Sequence, residues 1–371
     1  MSVSIRPVHG RRDFGRFIDY AYERNASDPH WVPPLRLAER ERLTPAKNPF
    51  FAHADVELLL AWRGGEVVGR IAAIDDRRHN EVHRDEVAMF GFFEAADADA
   101  AHALLAAAES AARTRGRAAL RGPVNPSLND SAGLLVEGFD SDPMVMMPHN
   151  PREYAGYIES AGYRKVKDLF AWLYDIEPET PRALERLAVR VRERDHVTVR
   201  PLMLSEFARE VERMRAIYCG AWQQNWGFVP PTGEEFRRVA AELKPIFDPR
   251  CAVCAEVDGQ PVACAIAIPD INQALKGTDG RLSPSTIIRL LRRARYIDQM
   301  RLLLLGVLPE YRLRGLYPLL LFELQRQVRG SAYRRAEFSW VLEDNHDINQ
   351  PAAAAGARCY KRYRIYEKAL S

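Results

Sequence analysis

The sequence predicts an α/β (α+β) fold built twice: two tandem domains, each a mixed, mainly antiparallel sheet flanked by helices. Three observations predict it. The chain has 371 residues, long enough for two domains of ordinary size. Its two halves repeat one order of elements. Within each half, short alternating strands are interleaved with segments of helical period, the pattern of a sheet covered by helices.

The echo runs the length of the chain. "VSIRPV" (3–8) matches "VTVRPL" (197–202), each an alternating strand followed by an amphipathic helix. "VELLLAWRGGEVVGRIAAIDD" (56–76) matches "AVCAEVDGQPVACAIAIPD" (252–270), two hairpins turning at Gly64-Gly65 and Asp258-Gly259. A strand, a helix and a further strand follow in each half: "VAMFGFFE", 97–115 and "AALRGPV" in the first; "MRLLLLGVL", 316–328 and "RAEFSWVL" in the second. The halves also close alike, "YIESAGYRKVKDLFAWLYDI" (157–176) against "AAAAGARCYKRYRIYEKAL" (352–370), each a helix end, a Gly and a long strand. The polar segment 177–195 reads as a linker with a short helix, so the domains are 1–176 and 196–371.

Composition narrows the function. Hydrophobic residues make up 47% and charged residues 28% of the chain, enough for an ordinary core in each half. With 53 basic against 50 acidic residues the net charge is only +3, which argues against a nucleic-acid partner. The five cysteines are irregularly spaced. Cys251 and Cys254 form a lone CxxC with no second ligand pair, so no metal is expected and the cysteines read as small core residues. The N-terminus lacks an apolar h-region, and the run 302–308 is far too short to span a bilayer. A cytoplasmic protein is expected. The segment 282–297 sets Ile287, Ile288, Leu291 and Tyr296 among Arg289, Arg292, Arg293 and Arg295, a pattern suited to peripheral contact with an anionic membrane or to covering a long chain.

The segment 302–324 carries the chemistry. An apolar strand ends at Leu308, an arginine-rich loop follows, then Gly315 and an amphipathic helix with Pro318 in its first turn. A strand, a loop and a helix N-terminus make an anion site, because the first backbone N–H groups are unpaired and the helix dipole favours negative charge. Gly315 permits close approach of the backbone. Arg312 and Arg314 add charge-assisted hydrogen bonds, each worth roughly 1.5–3 kcal/mol.

This loop resembles the coenzyme A pyrophosphate motif of the GNAT acyltransferase superfamily, matched here by Val307, Pro309, Tyr311, Arg312, Gly315 and Leu316. The motif's last small residue is replaced by Tyr317, whose side chain is therefore expected to point away from the pyrophosphate. The resemblance implies that the pantetheine arm pairs with the backbone of Leu305, Gly306 and Val307, and that Asn345 contacts the cofactor. It implies an acyl-CoA donor and an amine acceptor. "DPHWVPP", "NPFF", "NPSLNDSAGLLVEGFD" and "NWGFVP" resemble a bacterial family of tandem GNAT proteins, and some bacterial ceramide synthases resemble the superfamily too.

Acyl transfer to an amine needs a base, and often an acid for the leaving thiolate. The tyrosine that GNAT enzymes commonly carry ahead of a Gly is absent: Ala352 stands there, before Gly356. Candidates near the end of the strand before it are Glu343 and His346. Trp222, Asn225, Trp226 and Phe228 form a dense aromatic and amide cluster where GNAT folds shape the acceptor pocket, and Asn129 faces the cleft from the other half. The first half has no Arg-x-x-Gly, and Asp97 and Asp99 occupy the anion position, so it should not bind coenzyme A. An N-acyltransferase is the leading reading, with a long-chain amine such as a sphingoid base as acceptor. A non-catalytic acyl-CoA binder and a Fem-like aminoacyl transferase are the alternatives.

Overall fold

The computed structural model describes residues 2–177, 179 and 182–370. Among these, thirteen strands form one sheet: β1 (Ser4–Pro7), β2 (Ala54–Arg63), β3 (Glu66–Asp76), β4 (Val87–Ala95), β5 (Ala119–Gly122), β6 (Leu134–Glu137), β7 (Arg164–Asp175), β8 (Val197–Pro201), β9 (Ala252–Val257), β10 (Gln260–Pro269), β11 (Gln299–Val307), β12 (Arg335–Leu342) and β13 (Arg358–Ala369). The helices are α1 (Gly10–Arg24), α2 (Arg36–Arg42), α3 (Arg77–His83), α4 (Ala98–Thr114), α5 (Tyr154–Ser160), α6 (Arg182–Asp195), α7 (Phe207–Trp222), α8 (Gly233–Leu243), α9 (Asn272–Leu275), α10 (Pro284–Leu291), α11 (Leu316–Val328) and α12 (His346–Ala354). Both hairpin turns fall where the sequence puts them, with positive φ at Gly64, Gly65, Asp258 and Gly259, as a two-residue turn matching strand twist requires.

The strand order is β1-β2-β3-β4-β5-β13-β7-β12-β11-β10-β9-β8, with β6 also on β13. Each half therefore surrenders its last strand to the other. β13, from the C-terminal half, pairs with β5, and its Tyr366 is fully buried in the core of the N-terminal half. β7 pairs with β12 in return. The two exchanged strands run antiparallel along the middle of the sheet, from Arg358 opposite Leu173 to Glu367 opposite Arg164.

The segment expected as a linker is mostly helix. Residues 178, 180 and 181 lie outside the described residues. From Arg182 onward the chain forms α6, whose Ala188 and Val191 are buried in the same core as Leu316, Leu319 and Leu320 of α11. Of the cysteines read as core, Cys251, Cys254 and Cys264 are buried, Cys219 is half-buried and Cys359 is exposed.

A second tie crosses between the halves. His53 stands between Asp76 of β3, 2.9 Å from Oδ1, and Glu235 of α8, 3.0 Å from Oε1. Hydrogen bonds to Asp76 and then to Glu235 lift the imidazolium to about 9. A group whose folded pKa is raised contributes stability fully present below its unfolded value, and this stability disappears as pH rises through the folded one. The stability advantage of the wild type over His53→Gln should therefore be full near pH 6 and shrink between about pH 6.5 and 9. Urea unfolding of both proteins across that range measures it, and an advantage independent of pH would contradict the clamp.

Candidate active site

Two bulges open the sheet. β11 and β12 pair in parallel only from Gln299–Leu302 to Arg335–Phe338. On β11, Leu304 faces Ile266 and Leu302 faces Ala267, so Leu303 is the extra residue. On β12, Phe338 faces Trp172 and Val341 faces Phe170, so Ser339 and Trp340 are set against one residue of β7. Bulges bend strands and re-aim side chains. These two splay β11 and β12 apart and leave the edge of β11 from Leu303 to Val307 without a partner strand among the described residues.

A cavity of about 420 Å³ fills the gap. Leu303 and Leu305 form one wall and Ser339 and Trp340 the other, with Trp222, Asn225 and Trp226 closing the side. Trp222 lies flat on β11: a Cβ at Gly306 would sit 2.5 Å from its ring, so only glycine fits there. At the mouth, residues Pro309–Arg314 form a short 3-10 helix, and Gly315 turns left-handed (φ 77°, ψ 24°) into α11. The N-terminus of α11 stands beside the cavity, which Tyr317 lines, and a helix N-terminus favours an anion. Arg312 borders the same opening and donates to the Ala221 carbonyl at 2.7 Å, which ties the loop to the end of α7.

The expected donor residues divide by geometry. Leu305, Arg312, Tyr317 and Asn345 line the cavity. Val307 and Leu316 turn their side chains fully into the core, leaving only backbone for the site. Arg314 is exposed and stacks on Tyr311 at 4.8 Å, outside the cavity lining. Tyr317 is half-buried, and burial pushes its phenol up.

Of the expected acid–base residues, His346 stands at the cavity rim, at the first turn of α12. Glu343 does not reach it. Its carboxylate accepts from Lys165 at 2.6 Å and from the Asp168 amide at 3.0 Å, so it fastens β12 to β7 rather than serving as a base.

A second cavity of about 150 Å³ adjoins the first through Trp222, Asn225, Trp226, Leu303, Ser339 and Trp340. Both halves build it, and it brings Phe228 and Asn129 to the other expected pocket residues. Asn129 is fixed by Tyr218, which donates to its Oδ1 at 3.0 Å, and by its own donation to the Val229 carbonyl at 2.8 Å. Asp130 lines the same cavity and accepts from Ser127 at 2.6 Å; burial pushes its carboxyl up, against the pull of Arg42. Its neighbour in sequence Asn125 is elsewhere, accepting from the Phe92 amide at 2.5 Å.

Sequence reasoning missed the network behind the bulge. Arg301, buried, donates to Ser339 Oγ at 2.8 Å, to the Ser339 carbonyl at 3.1 Å and to the Val145 carbonyl at 2.9 Å. Glu337, fully buried, accepts from Ser339 and from Tyr360 of the exchanged strand β13. Alternation along "EFSWVL" marks a strand but not a bulge, and nothing local pairs Arg301 with Glu337.

The N-terminal half has the same splay and closes it with its own chain. β4 and β5 pair only from Val87–Met89 to Ala119–Arg121. Beyond that, the Val124 amide donates to the Phe90 carbonyl at 2.9 Å and Asn125 accepts from Phe92. A Cβ on Gly91 would sit 1.6 Å from the Val124 carbonyl oxygen, so the crossing chain occupies the gap itself. At the head of α4, Asp97 caps Ala100 and pairs with Arg63 at 2.5 Å, which holds its carboxyl down at about 2 and keeps a negative charge where an anion would bind.

The splayed gap ending at a helix N-terminus, repeated across an exchanged sheet, defines a tandem protein of GNAT acyltransferase fold. No family model matches the chain. It is 38% identical over 377 residues to the bacterial ceramide synthase of Caulobacter vibrioides, covering 99% of this chain and 98% of the relative. It is 36% identical over 374 residues to protein YghO of Escherichia coli, covering 99% and 95%. Among solved structures it resembles a tandem GNAT protein from the clavulanic acid biosynthesis pathway, with TM-score 0.60 and 15% identity over 100% of this chain and 99% of that one. The chain belongs to the family of tandem GNAT proteins that includes the Caulobacter bacterial ceramide synthase and YghO.

This geometry predicts one coenzyme A per chain. Gly315→Glu, which adds bulk and negative charge at the left-handed turn, should abolish binding, and Arg312→Ala should weaken it on the order of tenfold or more, the value of one charged hydrogen bond. Calorimetry on folded variants checks both. A stoichiometry of two, or wild-type affinity in Gly315→Glu, would rule out the site.

Proposed function

We propose that this protein is an acyl-CoA-dependent N-acyltransferase acting on a long-chain amine such as a sphingoid base. The observation that carries this reading is the unpaired edge of β11, which begins at the Leu303 bulge, ends at the N-terminus of α11 and opens onto a cavity built by both halves. A pantetheine arm supplies the hydrogen-bonding groups that such an edge lacks, and a pyrophosphate suits the helix N-terminus. The name of the Caulobacter relative supports the lipid amine, since a ceramide is a fatty amide of a sphingoid base.

In this reading the thioester lies between Leu303 and Ser339 and the amine enters through the second cavity. Nitrogen bonds to the thioester carbon as the C–S bond breaks. Asp130, with its carboxyl raised by burial, takes the proton that nitrogen loses. The leaving thiolate takes up a proton in the gap, supplied from solvent on the side where His346 lines the cavity. Asn129 and Asn225 orient the polar head of the acceptor, with Trp226 and Phe228 packed around it.

Turnover tests the reading. The protein, given palmitoyl-CoA and sphinganine, should release free coenzyme A and form the amide. Asp130→Asn should lower kcat by about 10²–10⁴-fold with little change in coenzyme A affinity. Binding of acyl-CoA without turnover against any long-chain amine would favour a non-catalytic acyl-CoA binder.

Contact with a membrane is the second part of the proposal. Among the described residues no helix is long and apolar enough to cross a membrane. Instead α10 carries Ile287, Ile288 and Leu291 exposed, Leu291 at 75%, with exposed Arg292 and Arg295 close by. None of residues 282–297 lines the three larger cavities, so they do not cover a chain bound there. Such a helix suits an anionic bilayer surface. The protein should float with anionic liposomes at low salt and lose flotation when Arg292 and Arg293 both become Glu. Equal flotation of the double variant would sink the assignment.

A further inference from the structure

We infer that the apolar pocket beneath α8 receives the hydrocarbon tail of the acyl donor. The pocket, about 130 Å³, lies between α7, α8 and the face of β10 and β11. Its walls are almost wholly aliphatic and aromatic: Met214 and Val211 from α7, Ile266 from β10, and Phe236, Val239 and Ala240 from α8.

The helix over it is held by polar ties and by half-buried apolar contacts. The capping box of Thr232 and Glu235 starts α8, and Glu235 also meets His53. Yet no residue of this amphipathic helix is fully buried. An apolar face seated on apolar walls, with space left between them, suits a flexible hydrocarbon.

The bulge at Leu303 puts the pocket within reach of the donor arm. Leu303, the extra residue of the β11 bulge, lines the gap, the cavity shared by the halves and this pocket, while Leu304, Phe236 and Val239 line the shared cavity and this pocket. An arm lying along the free edge of β11 delivers its thioester to that bulge, and the chain attached to the thioester continues past Leu303 and Leu304 under α8. The polar groups suited to an acceptor head, Asn129, Asp130 and Asn225, are in the shared cavity and not in this pocket. The two charged residues in the pocket wall are otherwise engaged. Glu210 is paired with Arg200 and Arg213, and Lys244 is exposed and stands over the Phe207 ring. Neither offers a site for an ammonium. The far rim, at Met203 and Leu204, is partly exposed, so the tail has a way out to solvent or to a lipid surface.

The inference rests on the acyl-CoA reading, and the test separates the two. Calorimetry compares coenzyme A, octanoyl-CoA and palmitoyl-CoA on the full chain. In the wild type, palmitoyl-CoA should bind at least tenfold tighter than coenzyme A, because burying methylenes is favourable. Ala240→Trp fills the pocket from α8, and Val239→Trp blocks its inner end; either should cut that margin to threefold or less. Thermal melts report folding. A wild type that fails to bind coenzyme A overturns the donor reading and this inference together. A variant that binds coenzyme A and keeps the full margin overturns only the pocket. Ala240 lines this pocket and not the shared cavity, so if binding of sphinganine alone falls in Ala240→Trp while the palmitoyl margin stays, the pocket belongs to the acceptor and the inference is wrong. A measurement on the wild type covers the case in which neither variant folds: palmitoyl-CoA with a diazirine near the tail end should label the peptides of α7 and α8. Label confined to 282–297 overturns the assignment.

Discussion

The pairing of β7 with β13 is the constraint on which the rest of the structure depends. Each strand begins in one half and completes the sheet of the other, so neither half can finish its core alone. Side chains reinforce the seam. Asp168 on β7, buried, is bound by Arg364 on β13 at 2.8 and 3.1 Å, and by Lys165 at 3.1 Å. Burial alone would raise this carboxyl; Arg364 and Lys165 together hold it below the usual carboxylate range. Removing one partner would leave a buried charge uncompensated, the costly way to break such a pair. The seam also fixes the angle between the halves, and with it the shared cavity, to which the N-terminal half contributes Asn129 and Asp130 and the C-terminal half Tyr218 and Phe228.

Opening a sheet at its middle exposes backbone groups that would otherwise be paired, and unpaired buried groups are costly. The fold compensates one wall of the gap with a buried network rather than with a strand. Arg301 holds both the hydroxyl and the carbonyl of Ser339, and Glu337 takes the other side of that hydroxyl. The network draws on three parts of the chain. Val145 belongs to the N-terminal half, Tyr360 to the exchanged strand, and Arg301 to the edge strand of the gap itself. The bulge at Ser339 is thus over-determined, which keeps a distorted strand in one conformation. The opposite wall, β11 beyond Leu303, has no such support and keeps its hydrogen-bonding capacity for what enters the gap.

Much of this was legible in the sequence because its signals are local. The hairpin turns follow from Gly64-Gly65 and Asp258-Gly259. The loop into α11 follows from Gly315, and the cluster around Trp222 was visible as a run of aromatic and amide residues that the fold does bring together. The exchange of β7 and β13 was not legible, since a strand alternates identically whichever sheet it joins. Segment 182–195 read as a linker because it is rich in charge, but Ala188 and Val191 give it a narrow apolar stripe sufficient to dock on α11. Glu343 was misplaced for a related reason. Its partner Lys165 is far away in sequence and reaches it only through the exchange.

The two halves began from the same design and satisfy the same deficit differently. In each, a parallel pair of strands separates and leaves an unpaired edge. In the N-terminal half the chain turns back after β5 and supplies the missing partners itself, with the Val124 amide on Phe90 and Asn125 on the Phe92 amide. Gly91 permits that crossing, and the Asp97 carboxylate at the head of α4 takes the place an anion would fill. In the C-terminal half Trp222 reaches only as far as the backbone at Gly306, and the edge remains open with a helix N-terminus at its end. A gap closed by its own backbone is rigid and can serve as scaffold, and this half accordingly lends loop residues to the shared cavity. A gap left open leaves its edge groups to be paired by water or by a bound molecule. Duplication thus leaves one copy's gap closed by its own chain and the other's open, and the exchanged strands keep the two in register.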